Sequence, residues 1–504
     1  MKKIALILSS LLVCSVITAQ TLLTINDKEI SKQEFEYYYN KNNHIESDSL
    51  TANDYLDMFI NFKLKVEEAY SLKYDTAASF AEEFQSYRTP LASAYLTDSA
   101  KIKELEEEAY NFLLKDIEVS HILFRIDSPE DTAVAYEKAL AAKKRAKKMD
   151  FNKLAEEVSE DPSVVYNKGN LGWVTGMTMV YPFEKAAFSL KKKKVSEPIR
   201  TMFGYHLIKV HNIRPTRGEA QVAHIFKRKP EGADSAQIDA IRKEMHRIHS
   251  VIKNGGEFDD LVKAHSEDRN TLKGGVLPWI STGQTNEIFE DAVFSLENPG
   301  DVSPVVEAPY GFHIIQLKER LEKPDYNRWM PQIQTRIRMD ERAYIVRESI
   351  VNKLKKEYNF KLGKDTVVAH FADVTLTKSQ LDEFCTTNNI SSKDSLDIFV
   401  NTKLMEYEDS QLEKKYPEFG FLMQEYRDGI LLFNISKDKI WDEASKDESK
   451  LKEIYENGNF DKPYNKVRGI VISKYQDELE KQWIKELREK YTVEVNQKVL
   501  NSIK

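Results

Sequence analysis

Cysteine is almost absent from this 504-residue sequence, which holds two. One of them, Cys14, lies in an apolar N-terminal stretch. If that stretch is a leader, its removal leaves Cys385 alone, and an internal disulfide is excluded even in an oxidising compartment. A basic excess is missing as well. The formal net charge is −7, and runs such as Lys143-Lys144-Arg145 and Lys191 to Lys194 are short solvated faces, so no field for nucleic acid is built. Beyond the N-terminus no apolar run approaches membrane length, and no integral span is expected in the mature chain. What remains is 41% hydrophobic and 31% charged residues, a balance that folds, in a chain long enough for several cores.

The first residues read as a secretory signal over 1–19. Lys2 and Lys3 precede apolar Ile4 to Ile17, and Thr18-Ala19-Gln20 offers a small residue at a cleavage point. Cleavage would take both lysines and leave the chain two charges more negative. Lipid anchoring at Cys14 is disfavoured, because Val13 stands where a small residue is wanted. Export without disulfides fits a bacterial periplasm.

Repeats are the most informative feature. "DFNKLAEEVSEDPSVVYNKGNLGW" (Asp150 to Trp173) is echoed by "EFDDLVKAHSEDRNTLKGGVLPW" (Glu257 to Trp279), "PFEKAAFSL" by "IFEDAVFSL", and "FGYHLIKV" (Phe203 to Val210) by "YGFHIIQL" (Tyr310 to Leu317). The strand-like "VSHILF" (Val119 to Phe124) returns as "VAHIFK" (Val222 to Lys227). Each copy predicts strand, long helix, short helix, strand, short helix and two strands. Ala133 to Met149 has helical spacing, Pro162 ends the next helix, and Tyr205 to His211 alternates as a strand. Strands with segregated helices give the fold class α+β.

A second repeat flanks the first. "EISKQEFEYYYNKNN" (Glu29 to Asn43) resembles "TLTKSQLDEFCTTNN" (Thr375 to Asn389), and "DYLDMFINFKL" resembles "DSLDIFVNTKL". "IVNKLKKEYNFKL" from Ile350 pairs with "WIKELREKYTVEV" from Trp483 as closing helix and strand. "KVRGIVI" (Lys466 to Ile472) looks like the histidine strand with Gly469 in the histidine's place. The expected order is signal 1–19, helical module 20–115, small domains 116–215 and 219–322, closing segment 323–362, second module copy 363–465, and closing strand and helix 466–504.

The ordered set of a strand histidine, a "SED" turn, a Gly-rich "NKGNLGW" and a terminal "FGYHLIKV", found twice, resembles the parvulin family of peptidyl-prolyl isomerases. The flanking helical arms and the export signal resemble the SurA/PpiD group of periplasmic foldases. The resemblance implies two tandem parvulin domains, each a small antiparallel sheet with surrounding helices, and no cofactor or metal. The chemistry asked of such a site is rotation about an X-Pro bond. The barrier, about 18–20 kcal/mol, comes from amide resonance, and a site lowers it by binding the twisted amide better than the planar one.

In the first domain the resemblance implies His121 and His206 as a histidine pair, Thr201 as the hydroxyl that bonds into it, Asp161 beside the rotating bond, and Leu171, Met179 and Phe183 as the proline pocket. The second domain keeps His224, His313, Asp268 and Phe289. There Thr201 is replaced by Ala308, Met179 by Thr285 and Leu171 by Val276, so weaker turnover is expected. The implied partners are unfolded or nascent envelope polypeptides containing X-Pro, and the duplicated helical module could also pair between chains. The rival reading is a non-catalytic holdase that uses the parvulin folds as peptide-binding platforms.

Overall fold

The computed structural model describes residues 20–43 and 50–503; the expected signal over 1–19, with Cys14, lies outside them. The chain divides into two compact units, Thr97–Lys353 and the flanking Met1–Leu96 with Leu354–Lys504. Among the described residues no helix is long and apolar enough to cross a membrane.

Within Thr97–Lys353, the strand around "VSHILF" runs Lys115–Arg125 and pairs antiparallel along its length with Gly204–Pro215. Asn170–Val174 and Ile199–Thr201 flank this pair in a four-stranded sheet. Alternation along the strand gives the sheet two apolar faces. Ile122, Phe124 and Leu207 pack against helices Asp131–Arg145 and Phe151–Val158. Val119, Ile208 and Val210 pack against helix Tyr181–Ser189 through Phe183 and Phe188. His121 and His206 belong by alternation to this second face.

The second copy repeats the plan with Glu219–Arg228, Gly311–Leu321 and Val306–Ala308. Its expected counterpart of the strand Asn170–Val174 is reduced to isolated bridges, Ala223 to Val276 and Ala220 to Ile280. Pro278 lies between them and has no N–H to give to a ladder.

Two helical segments assigned by sequence to the flanking modules pack instead beside the first small domain. Leu105, Ala109 and Leu113 of Ser99–Leu113 meet Trp329, Ile333 and Ile337 of Tyr326–Met339, and Met177 and Tyr181 join the same core. Each helix is amphipathic and buries its apolar stripe on the other.

In the flanking unit, each module copy opens with a hairpin, Thr21–Ile25 with Lys28–Ser31 and Val367–Phe371 with Val374–Thr377. The copies do not close themselves. The C-terminal strand Val493–Val495 pairs with Thr21–Ile25, and Lys361–Leu362 pairs with Val367–Phe371. Helix Pro417–Ser436 of the second copy shares a core with the first, where Phe35, Phe59 and Leu64 pack with Phe419, Met423 and Leu431. Residues 466–472, expected as a strand, lie inside helix Tyr464–Lys490. Val467, Val471 and Tyr475 are buried at helical spacing while Ile470 is exposed, and the strand that follows, Val493–Val495, pairs with Thr21–Ile25 instead.

A buried ion triad ties the copies together. Lys63 Nζ contacts Glu34 Oε1 and Asp428 Oδ2, both at 2.5 Å, and Asp428 is fully buried. Removing one partner of such a set strands a charge in the core. Asp428→Ala is therefore expected to destabilise this unit by roughly 3–5 kcal/mol, read as a lowered midpoint in denaturant unfolding of the full chain.

Candidate functional site

The antiparallel register sets Leu123 opposite His206 and His121 opposite Ile208, so the two histidines are diagonal neighbours on one face. Their rings lie nearly parallel, with centroids 5.5 Å apart, and Phe183 sets its edge against both. His121 Nδ1 is 3.3 Å from His206 Nδ1, and His206 Nε2 is 2.8 Å from Thr201 Oγ1. His121 Nε2 lies 3.3 Å from Asp161 Oδ2, at an angle too poor for a well-formed hydrogen bond. Thr201 Oγ1 already accepts from the Phe203 N–H, which frees its O–H to donate. One proton order satisfies the chain: Thr201 O–H donates to His206, His206 Nδ1–H to His121, and His121 Nε2–H points at the Asp161 carboxylate.

Electrostatics agree with two neutral imidazoles. Burial, helped by the proximity of His121 and opposed by Asp161, pushes His206 down to about 3. Burial also lowers His121, with Asp161 pulling the other way. Burial alone would raise Asp161, but hydrogen bonds from the Ser163 hydroxyl and N–H hold its carboxyl below the usual value. Asp161 is thus an anion beside a neutral pair.

Leu171, Met179 and Phe183, the three residues singled out as a proline pocket, line one cavity of about 610 Å³ together with His121, His206 and Asp161. Thr201 supports its floor through His206. Leu123, Pro162, Val180, Met202 and Phe203 also line it, with Arg125, Ile126, Asp127 and Thr178; of these, Met202 and Phe203 are exposed at the mouth. The sequence reading missed them, although alternation from His121 places Leu123 on the same face. Gly169 holds a left-handed backbone, and a Cβ there would meet the His121 carbonyl oxygen at 2.5 Å. That close approach carries the His121 N–H to Gly169 O bond and explains the Gly-rich motif.

The second copy keeps the pair. His224 and His313 are joined Nδ1 to Nδ1 at 3.2 Å, with Asp268 Oδ2 3.4 Å from His224 Nε2 and the edge of Phe289 against both rings. Burial, with His224 nearby and Asp268 opposing, lowers His313 to about 3. Three features differ. Ala308 supplies no hydroxyl, and Thr285 stands in place of Met179. Phe226, at the position of Leu123, stacks on His313 with centroids 4.8 Å apart. The register also corrects one assignment. The His224 N–H bonds to Gly275 O as His121 does to Gly169 O, so Leu277, not Val276, is the counterpart of Leu171. Val276 turns to the opposite core with Ala223 and Val262, whereas Leu277 packs beside the Phe289 cluster. Reading "VLPW" without its bridge put the alternation one residue out of step. Among the described residues no cluster of ligating side chains could hold a metal.

Comparison with known proteins follows this geometry. Residues 121–212 and 224–319 match the family model "Rotamase: PPIC-type PPIASE domain". The chaperone SurA of Methylococcus capsulatus is 29% identical over 255 residues, 47% of this chain and 55% of that protein. That of Thiobacillus denitrificans is 32% identical over 228 residues, 43% of this chain and 49% of that one. The chain thus spans about half the length of the curated relatives it matches. The solution structure of NmPin, the parvulin of Nitrosopumilus maritimus, is 42% identical over 19% of this chain and 97% of its own, with a TM-score of 0.17.

The neutral pair carries a pH dependence. An unfolded histidine titrates near 6.5, whereas folded His206 and His313 are each pushed down to about 3. Between those values the unfolded chain takes up protons that the fold refuses, so stability falls as pH drops from about 6.5 toward 3. Unfolding midpoints measured across this window are expected to decline, with a shallower slope in a His206→Gln, His313→Gln variant. Residues 121–212 and 224–319 match the PPIC-type peptidyl-prolyl isomerase domain in two tandem copies, and the chain is similar to the chaperone SurA over about half of its length.

Proposed function

We propose that the chain is a periplasmic peptidyl-prolyl isomerase and chaperone for unfolded envelope polypeptides, with most of the turnover in the first parvulin domain. The observation that carries this reading is the single cavity in which Leu171, Met179 and Phe183 lead to the Asp161–His121–His206–Thr201 chain. A prolyl ring fills the apolar part and places its amide carbonyl beside the polar part. The planar amide oxygen carries more negative charge than the twisted one, because resonance is lost on rotation. An Asp161 anion near that oxygen disfavours the planar state more than the twisted one. The imidazoles take no proton from the substrate; neutral and hydrogen-bonded to each other they form the polar floor, while Ser163 holds the Asp161 carboxylate in place.

The second domain is the weaker site in this reading. Phe226 stacks against its histidine, Thr285 makes its pocket wall more polar, and Ala308 leaves His313 without its hydroxyl partner. It serves as a peptide-binding platform beside the working domain.

A holdase role is favoured by a separate observation in the flanking unit. Tyr38, Tyr55, Met58, Phe59 and Phe62 line a groove of about 340 Å³. It shares Glu425 and Gly429 with a second groove of about 570 Å³ lined by Tyr87, Leu422, Tyr426, Ile430 and Phe433. Aromatic walls of this kind suit extended apolar segments. The relatives named SurA are chaperones by their printed names, and the same part is assigned to this unit. Residues 1–19 as an export signal, and a location in the periplasm, belong to the same reading.

Proline-limited refolding tests it. His121→Ala and His206→Ala are expected to lower the rate enhancement of the full chain at least tenfold, about 1.4 kcal/mol of barrier, while His224→Ala leaves it within about twofold. Loss on His224→Ala with full activity in His121→Ala would reverse the assignment. Replacing 97–353 with a short flexible linker is expected to abolish isomerase activity and retain suppression of client aggregation; loss of both would move client binding to the parvulin domains.

A further inference from the structure

The wall of the first proline pocket is held from outside the parvulin fold. Thr178, Met179 and Val180 line the cavity, and the loop that bears them passes through Met177, whose φ of 66° is left-handed. A side chain in that region costs roughly 1–2 kcal/mol, so the loop needs external support to stay in this shape. Helix Tyr326–Met339 and the start of Glu341–Glu357 provide it. Arg336 donates to Met177 O at 2.7 Å and to Met179 O at 3.1 Å. Arg342, 1% exposed, donates to Glu184 Oε1, and Glu184 Oε2 accepts the Met177 N–H. The Met177 side chain is buried with Trp329, Ile333 and Ile337.

The second domain uses the same device with a different arginine. Glu290 accepts from the Gly283 and Thr285 N–H groups, at 3.1 and 2.8 Å, and pairs at 3.0 Å with Arg217 of the inter-domain linker. Gly283 takes the left-handed position there, where no side chain is strained. A glutamate in the pocket helix, a loop N–H and an arginine from a neighbouring segment therefore occur twice, and only the first version combines them with a strained residue and two carbonyl clamps.

We propose that Arg336 and Arg342 are positioning residues for the first domain's prolyl site: they hold loop 176–180 in its substrate-ready shape, so that the helical segment 326–353 sets the affinity of the pocket. The proposal rests on the reading of that cavity as the prolyl site. The groups that address the carbonyl stand on other elements, Asp161 after helix Phe151–Val158 and the histidines on the sheet. Loosening the loop consequently weakens capture of the proline ring in planar and twisted forms alike, and lowers affinity rather than turnover.

The experiment uses the full chain in a His224→Ala background and a short Xaa-Pro peptide. Kd and the saturated isomerisation rate are read from the same NMR titration and exchange series. Arg336 is partly exposed, so Arg336→Gln is expected to fold with an unchanged unfolding midpoint, to raise Kd roughly tenfold, and to leave the saturated rate within about twofold. Arg342→Lys, which keeps the charge but not the forked geometry, is expected to raise Kd by a smaller factor. An unchanged Kd in Arg336→Gln would overturn the proposal. So would a loss of rate that follows a lower unfolding midpoint at constant Kd, which marks a purely structural role. If the unaltered chain binds the peptide without rotating it, the isomerase reading fails, while the Kd comparison still decides the clamp.

Discussion

The site depends on one strand pairing. Lys115–Arg125 against Gly204–Pro215 must keep its register, because a slip of a single residue would send one imidazole to the opposite face, among Ile122, Phe124 and Leu207. The correct register buries two neutral histidines side by side. Each buried nitrogen then needs a partner, and the surrounding residues follow from that need: Thr201 at one end, Asp161 at the other, and Phe183 against both ring edges. Gly169 allows the neighbouring strand to come close enough to hold the His121 backbone.

The same pairing recurs in the second copy, and the differences lie around it. The separations within the histidine pair and to its aspartate agree within 0.1 Å between the copies. The hydroxyl, the apolar wall and the fourth strand do not. A buried imidazole pair is costly to disrupt, since either ring alone leaves the other unsatisfied. Around the pair the residues change: the buried Thr201 gives way to Ala308 and Leu123 to Phe226 while the histidine contact persists. The same histidine floor is thus set in two different walls.

The flanking unit shows duplication used differently. Two copies of a helical module do not form two bodies; they trade closing strands and share one aromatic core, tied by Lys63 and Asp428. The strand Val493–Val495 returns to the first hairpin from the far end of the chain, and this closure lets the first copy accommodate the whole of Thr97–Lys353 between its parts. One edge of each hairpin is thereby covered by a third strand.

The two small domains, their order of elements and the strand histidines His121 and His206 were legible in the sequence, because alternation, turn glycines and a repeat of about a hundred residues are local patterns that fix local structure; Asp161 and Phe183 came only from the family resemblance. "KVRGIVI" was misread for the same reason: its apolar residues fit a strand and a helix alike, and only the absence of a pairing strand decides for the helix. Leu277 takes the place expected for Val276, because a one-residue shift is invisible until a bridge to Ala223 fixes which side chain lies on the Phe289 side. Arg342 lies 158 residues from Glu184, and no spacing rule joins them; folding back of the helix Tyr326–Met339 does. The sequence by itself determined which side chains alternate onto the face that carries the histidine pair. The tertiary structure alone decided what stands behind that face, because long-range ion pairs and exchanged strands depend on where distant segments meet.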